Sequence, residues 1–342
     1  MELGCAEYSD RRKMGRGIMK VSAEKLAEEA ENSGFRSEVL EKVVHLLGLI
    51  QSLQSHPFLK GKLVLKGGTA LNLFAYDVSR LSVDIDLNYI GAEDRESMLA
   101  ERPKIEKAVQ AVIAREEFNV RRMPTEEHAG GKWALRYQSA LGQGGNLEVD
   151  VNFMFRVPLW PVRHIDSYIV GDWGATGISV LDYHELAAGK LVALLARRQA
   201  RDLFDSHRVL QDNNFDLSRL RIAFVVYGAM NRKDWRTVSA KDVDIESADL
   251  AHQLIPTLRV NESKVRPESV DYGDRLVREC SDALSIVLPF QEAEREFLDL
   301  LLERGEIDAS LLTADKALQQ SIESQPLLTW KALNVRRYKG LS

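Results

Sequence analysis

In the run Val83-Asp84-Ile85-Asp86-Leu87, apolar and acidic residues alternate, and this limits the fold more tightly than any other feature of the chain. A period of two marks a strand with one buried face, so Asp84 and Asp86 project together, away from Val83, Ile85 and Leu87. A second run, Leu147-Glu148-Val149-Asp150-Val151-Asn152, repeats the pattern with Glu148 and Asp150. Carboxylates about 7 Å apart on one strand face repel each other. A divalent cation such as Mg²⁺ or Mn²⁺ relieves that cost while bridging substrate phosphates. Asp84, Asp86 and Asp150 on neighbouring strands therefore read as metal ligands. Three carboxylates suit two ions, one activating an attacking hydroxyl and one stabilising a leaving pyrophosphate.

Phosphates also need donors. Leu63-Val64-Leu65, bounded by Gly61 and by Gly67-Gly68, fits a short buried strand feeding a turn. The next helix is expected from Thr69 to Tyr76, with Thr69 as its N-cap. Gly67, Gly68 and Thr69 then offer closely approaching backbone N–H groups, a hydroxyl and the positive end of a dipole. Arg80 and Ser82, just before Asp84, add donors for the same phosphates. A nucleoside triphosphate (NTP) is the co-substrate this combination suits.

The remaining chain reads as mixed α/β, with a mixed sheet flanked by helices and a helical C-terminal part. Two helices are expected between Ser22 and Leu53, a strand over Leu81 to Ile90, an amphipathic helix over Glu93 to Glu117, and strands at Phe118 to Met123, Trp133 to Ala140 and Leu147 to Phe155. Gly142-Gln143-Gly144-Gly145 reads as the loop between the last two strands. After Asp182 come long helical patterns: His184 to Leu210, Arg219 to Tyr227, Val270 to Ile286, Pro289 to Arg304 and Ala314 to Arg336. Residues 228–266 are the least readable. The expected division is a leader at 1–18, disordered or preceding a functional start at Met19, then a core at 19–178 and a helical domain at 179–342.

With 45% hydrophobic residues, the 342-residue chain can bury a sizeable core. Its formal net charge of -5 argues against a general polyanion coater, so any nucleic-acid contact is local. The two cysteines, Cys5 and Cys280, are far apart, so a reducing, cytoplasmic compartment is expected. No window approaches the roughly 18 apolar residues of a membrane span. The histidines lack zinc-ligand spacing, and the tryptophans, Trp133, Trp160 and Trp330 among them, are expected in core or interface. Lys331, Arg336, Arg337 and Lys339 form a basic end that fits RNA backbone.

Gly67-Gly68, Asp84-Ile85-Asp86 and Asp150, in that order, resemble the pattern of the nucleotidyltransferase superfamily of the DNA polymerase beta kind. The wording KGGTALNLF followed by RLSVDIDLNYIG is similar to one branch, the AbiEii/AbiGii toxins of bacterial type IV toxin–antitoxin and abortive-infection (phage defence) systems, which include the MenT toxins. The resemblance extends through EVLEKVVHLLGLI, HELAAGKLVALLARRQARDLFD and PLLTWKALNVRRY. It implies that Ser82, Asp84 and Asp86 form one motif and Lys190, Asp202 and Asp205 another, with Arg197 and Arg201 as its basic positions. It also implies a metal-dependent transferase that uses an NTP. Some members of the family add nucleotides to the 3′ acceptor end of tRNA, which stops translation. A winged-helix antitoxin that represses transcription is the implied partner, encoded by a neighbouring gene.

Read physically, Lys190, Arg197, Arg201, Asp205 and Arg208 form one stripe on a continuous helix at about 100° per residue. Lys190 is then a phosphate ligand, and Asp205 holds an arginine or Lys190 in place. Asp202 lies off the stripe. Two alternatives stand beside RNA modification: nucleotidyl transfer to a protein or small-molecule hydroxyl, and a catalytically silent NTP-binding interaction protein.

Overall fold

The computed structural model describes residues 21–124, 130–259 and 270–340. The proposed leader thus lies outside the described residues. Helix α1 (Ala23–Ser33) begins where the Ser22 hydroxyl accepts the Lys25 N–H and ends at Gly34 in the left-handed region, as helix caps do. Helix α2 (Ser37–Ser55) follows, and then strand β1 (Leu63–Lys66) runs directly into the short helix α3 (Gly67–Ala70) and a π turn, Leu71–Ala75. Thr69 is not the cap expected of it: the N-cap position falls at Lys66, and the Thr69 hydroxyl donates to the Asp84 carbonyl at 2.5 Å.

Strand β2 (Asp84–Tyr89), helix α4 (Arg95–Arg115) and strands β3 (Asn119–Arg122), β4 (Gly130–Gln138), β5 (Gly144–Asn152), β6 (Arg163–Ile165) and β7 (Ile178–Val180) complete one mixed sheet, ordered β3-β4-β5-β2-β1-β7-β6. β2 is parallel to β5 and antiparallel to β1. Ile85, Leu87, Val149 and Val151 point into the core with α2 and α4, which leaves the acidic positions on the other face. The expected loop glycines Gly144 and Gly145 lie inside β5. A Cβ on Gly145 would fall 2.0 Å from the Tyr137 ring, so the pairing there tolerates only glycine.

Helices α5 (Tyr183–Ala196), α6 (Ala200–Gln211) and α7 (Leu217–Ala229) follow the sheet. The helix expected over His184 to Leu210 is therefore broken. Arg197 and Gln199 are extended, and α6 restarts where the Ala200 N–H reaches the Asp249 carboxylate at 2.6 Å. After α8 (Ser247–Asp249), α9 (Val270–Ala283) and α10 (Glu292–Asp299), the last expected helix is also two, α11 (Lys316–Glu323) and α12 (Pro326–Lys339). Pro326 lacks the N–H needed to continue α11 but suits a first turn. The buried Gln325 before it donates to the Val157 carbonyl at 2.6 Å. One continuous apolar core joins the sheet to these helices.

Candidate active site

Strand register builds the first half of the site. Asp86 pairs with Asp150 on β5 and with Lys66 on β1, so an acid, an acid and a lysine form a row across three strands. Adjacent strands lie about 4.8 Å apart. Gly67, at φ +73°, turns the chain beside this row, and a Cβ there would lie 2.4 Å from an Asp86 carboxylate oxygen. Burial and the neighbouring Asp86 push the Asp150 pKa up. Burial pulls the Lys66 ammonium down against the opposing pull of Asp86 and Asp150. Among the described residues, no hydrogen bond or ion pair engages the Lys66 side chain, whose Nζ lies 5.3 Å from the centre of the Phe155 ring.

Asp84 departs from the expected trio. Its register partner is Glu148, which binds Lys132, and its own carboxylate lies 3.4 Å from Arg201 Nη1. Among the described residues, no three His, Cys, Asp or Glu side chains gather closely enough to hold a metal ion. Asp86 and Asp150 do share the cleft, about 1400 Å³ in volume, together with Lys66, Gly67, Gly68, Lys190 and Arg197.

The second half of the site is a buried ionic cluster that depends on the break between α5 and α6. Arg80 spends Nε and Nη2 on Asp205 at 2.7 and 2.6 Å, and Asn72 adds a third donor at 2.9 Å. Lys190 bridges Asp205 at 2.7 Å and Asp202 at 3.0 Å, and Asp202 also receives Arg197 Nε at 2.6 Å. Burial works against every charge here, but the partners prevail: the Asp202 and Asp205 pKa values are lowered and that of Lys190 is raised. Asp205 thus holds both an arginine and Lys190, and the broken helix gives Asp202 its role as an anchor for Lys190 and Arg197.

The two halves meet at Gly68. A Cβ there would lie 3.0 Å from Arg80 Nη2 and from the Ser82 hydroxyl, and 3.5 Å from Lys190 Nζ. Thr69 faces the Asp84 carbonyl, and Arg201 is drawn to Asp84. At the C-terminus, Lys331 is already engaged, donating to the Ala229 and Asn231 carbonyls at 2.7 and 2.6 Å, and Lys339 pairs with Glu303. Lys66 escaped sequence reasoning, although a lysine ending an apolar strand directly before Gly67-Gly68 was the available signal. Trp133 and Trp235 are fully buried, but Trp330 is 59% exposed and lines the cleft.

The family model for the nucleotidyl transferase AbiEii toxin of type IV toxin–antitoxin systems matches residues 49–280. No curated protein matches the chain. Among solved structures, the fold is similar to that of MenT4, a nucleotidyltransferase toxin from Mycobacterium tuberculosis H37Rv, with a TM-score of 0.58 at 17% identity over 89% of this chain and 98% of that one.

Proposed function

The chain belongs to the nucleotidyl transferase AbiEii toxin family of type IV toxin–antitoxin systems, and from that premise we propose that it moves a nucleoside monophosphate from an NTP to the 3′ hydroxyl of an RNA. A tRNA acceptor end is the favoured acceptor, its blockage stopping translation in a bacterial cytoplasm. The observation that carries the reading is the row Asp150, Asp86 and Lys66, which faces a cleft shared with Lys190 and Arg197.

Asp86 and Asp150 would hold Mg²⁺ or Mn²⁺, with Asp84 as a third donor once Arg201 releases it. Two adjacent carboxylates fit a hard cation that keeps water and phosphate oxygens in its shell. Burial and, after it, repulsion from Asp86 raise the Asp150 pKa, and that repulsion is a cost such an ion removes. When bound, the ion supplies positive charge to the reacting phosphoryl group. Lys190, Arg197 and the backbone at Gly68 bind the triphosphate, while Asp202 and Asp205 keep the two cations aimed. The acceptor oxygen forms its bond to the α-phosphorus, the bond to the β-phosphate oxygen breaks, and pyrophosphate leaves. In this reading Asp150 takes the hydroxyl proton. The antitoxin that the family implies is assigned here as a winged-helix repressor from a neighbouring gene.

Incubation of total tRNA with each labelled NTP and Mg²⁺ tests this. Label is expected in RNA with wild-type protein and absent with Asp86→Ala. Label on protein or a small molecule would move the acceptor to the alternative class. A folded, NTP-binding protein that transfers no label would remove transfer altogether.

A further inference from the structure

The cleft exceeds what one nucleotide needs. Small-molecule pockets run roughly 300–1,000 Å³, whereas this cleft measures about 1400 Å³. Seven basic side chains and three carboxylates line it, in a chain whose formal net charge is -5. Two of the cations, Arg95 and Arg232, have no hydrogen-bond or ion-pair partner among the described residues.

The indole of Trp330 belongs to the same cleft and is 59% exposed. Its helix is firmly held. Leu328 is fully buried, Ala332 is 7% exposed, and the Lys331 ammonium clamps α12 to the Ala229 carbonyl at the end of α7 and to that of Asn231 just beyond it. A large aromatic side chain is thus presented by a fixed element to a cleft that it shares with these two cations, which have no partner among the described residues. Single-stranded nucleic acid needs this combination, a π face for an unstacked base and positive charge for the backbone.

We propose that Trp330 is the stacking platform for a base in the single-stranded 3′ end of the RNA acceptor, with Arg95 and Arg232 taking its backbone phosphates; this rests on the transfer reading above for the identity of the acceptor. The chemistry it recognises is a nucleobase, which could also come from the NTP, so the test separates the two sources.

Full-length protein is titrated against a short fluorescent single-stranded RNA without nucleotide, and separately against Mg²⁺ with each NTP. Trp330→Ala is expected to weaken RNA binding about tenfold, Trp330→Phe to hold it within about threefold, and NTP binding to stay unchanged. Arg232→Ala is expected to lower the salt dependence of RNA binding by about one charge. Wild-type RNA affinity in a folded Trp330→Ala protein would overturn the proposal. So would loss of NTP binding alone, which would assign the indole to the donor base. If Trp330→Ala weakens RNA binding but wild type transfers nothing to RNA, the binding surface stands and the transfer reading falls. If wild type does transfer and Trp330→Ala leaves KM for RNA unchanged, only the present proposal falls.

Discussion

Two sets of aspartates flank the same glycine pair in space and live in opposite environments. On the strands, Asp86 and Asp150 share one face with a lysine that does not pair with them, and the Asp150 pKa is raised. On α6, Asp202 and Asp205 are buried more deeply, yet Arg80, Lys190, Arg197 and Asn72 satisfy them, and their pKa values are lowered. Burial alone would push all such carboxyls upward. The difference teaches that hydrogen-bonded counter-charge, not depth, marks which acids serve the scaffold. The under-compensated pair is the one to which the proposed function assigns the cation.

This contrast can be broken by substitution, and the largest effect should come from the compensated set. Asp205→Ala leaves Arg80 and Lys190 with uncompensated buried charge, so denaturant unfolding should show a loss of about 3–5 kcal/mol. Asp86→Asn should lower the rate of nucleotide incorporation by about a hundredfold or more, with a melting temperature equal to or above that of wild type. If Asp86→Asn destabilises as much as Asp205→Ala does, the two regions are not different in kind. Gly67→Ala forces a left-handed residue against the Asp86 carboxylate, and about 1–2 kcal/mol of stability should be lost along with activity.

A pH series sharpens the comparison further, with smaller effects of opposite sign. The depressed Asp205 contributes stability that is present above its unfolded value of about 4 and lost as pH falls through its lower folded value. The raised Asp150 contributes stability that is present below about 4 and lost as pH rises through its folded value. Thermal melts across this range should therefore show less acid loss in Asp205→Asn than in wild type, relative to each protein at neutral pH. Asp150→Asn should be relatively more stable on the neutral side.

The strands of the site were legible because alternation in Val83 to Leu87 and Leu147 to Asn152 is local, and Gly67-Gly68 punctuates β1 visibly. The break after Ala196 was not. Arg197-Arg198-Gln199 contains no glycine or proline, and the carboxylate that receives the Ala200 N–H belongs to Asp249, in the stretch that resisted reading. With a continuous helix assumed, Asp202 fell off the stripe, although the actual turn brings it to Lys190 and Arg197. Asp84 kept its predicted strand, but which cation would meet it depended on where α6 packs. Whether Trp330 would lie in the core or at an interface was open for a similar reason, and its exposure removes the core. Helical spacing shows that α12 has a buried side, but the buried positions are Leu328 and Ala332, and the indole faces the cleft.

The most direct test is intact-mass spectrometry of a defined tRNA after incubation with Mg²⁺ and each NTP in turn, using wild-type and Asp86→Asn proteins in parallel. The account predicts RNA heavier by whole nucleotide increments with wild type and unmodified RNA with the folded variant. Unmodified RNA with every NTP, or equal extension by both proteins, would contradict it.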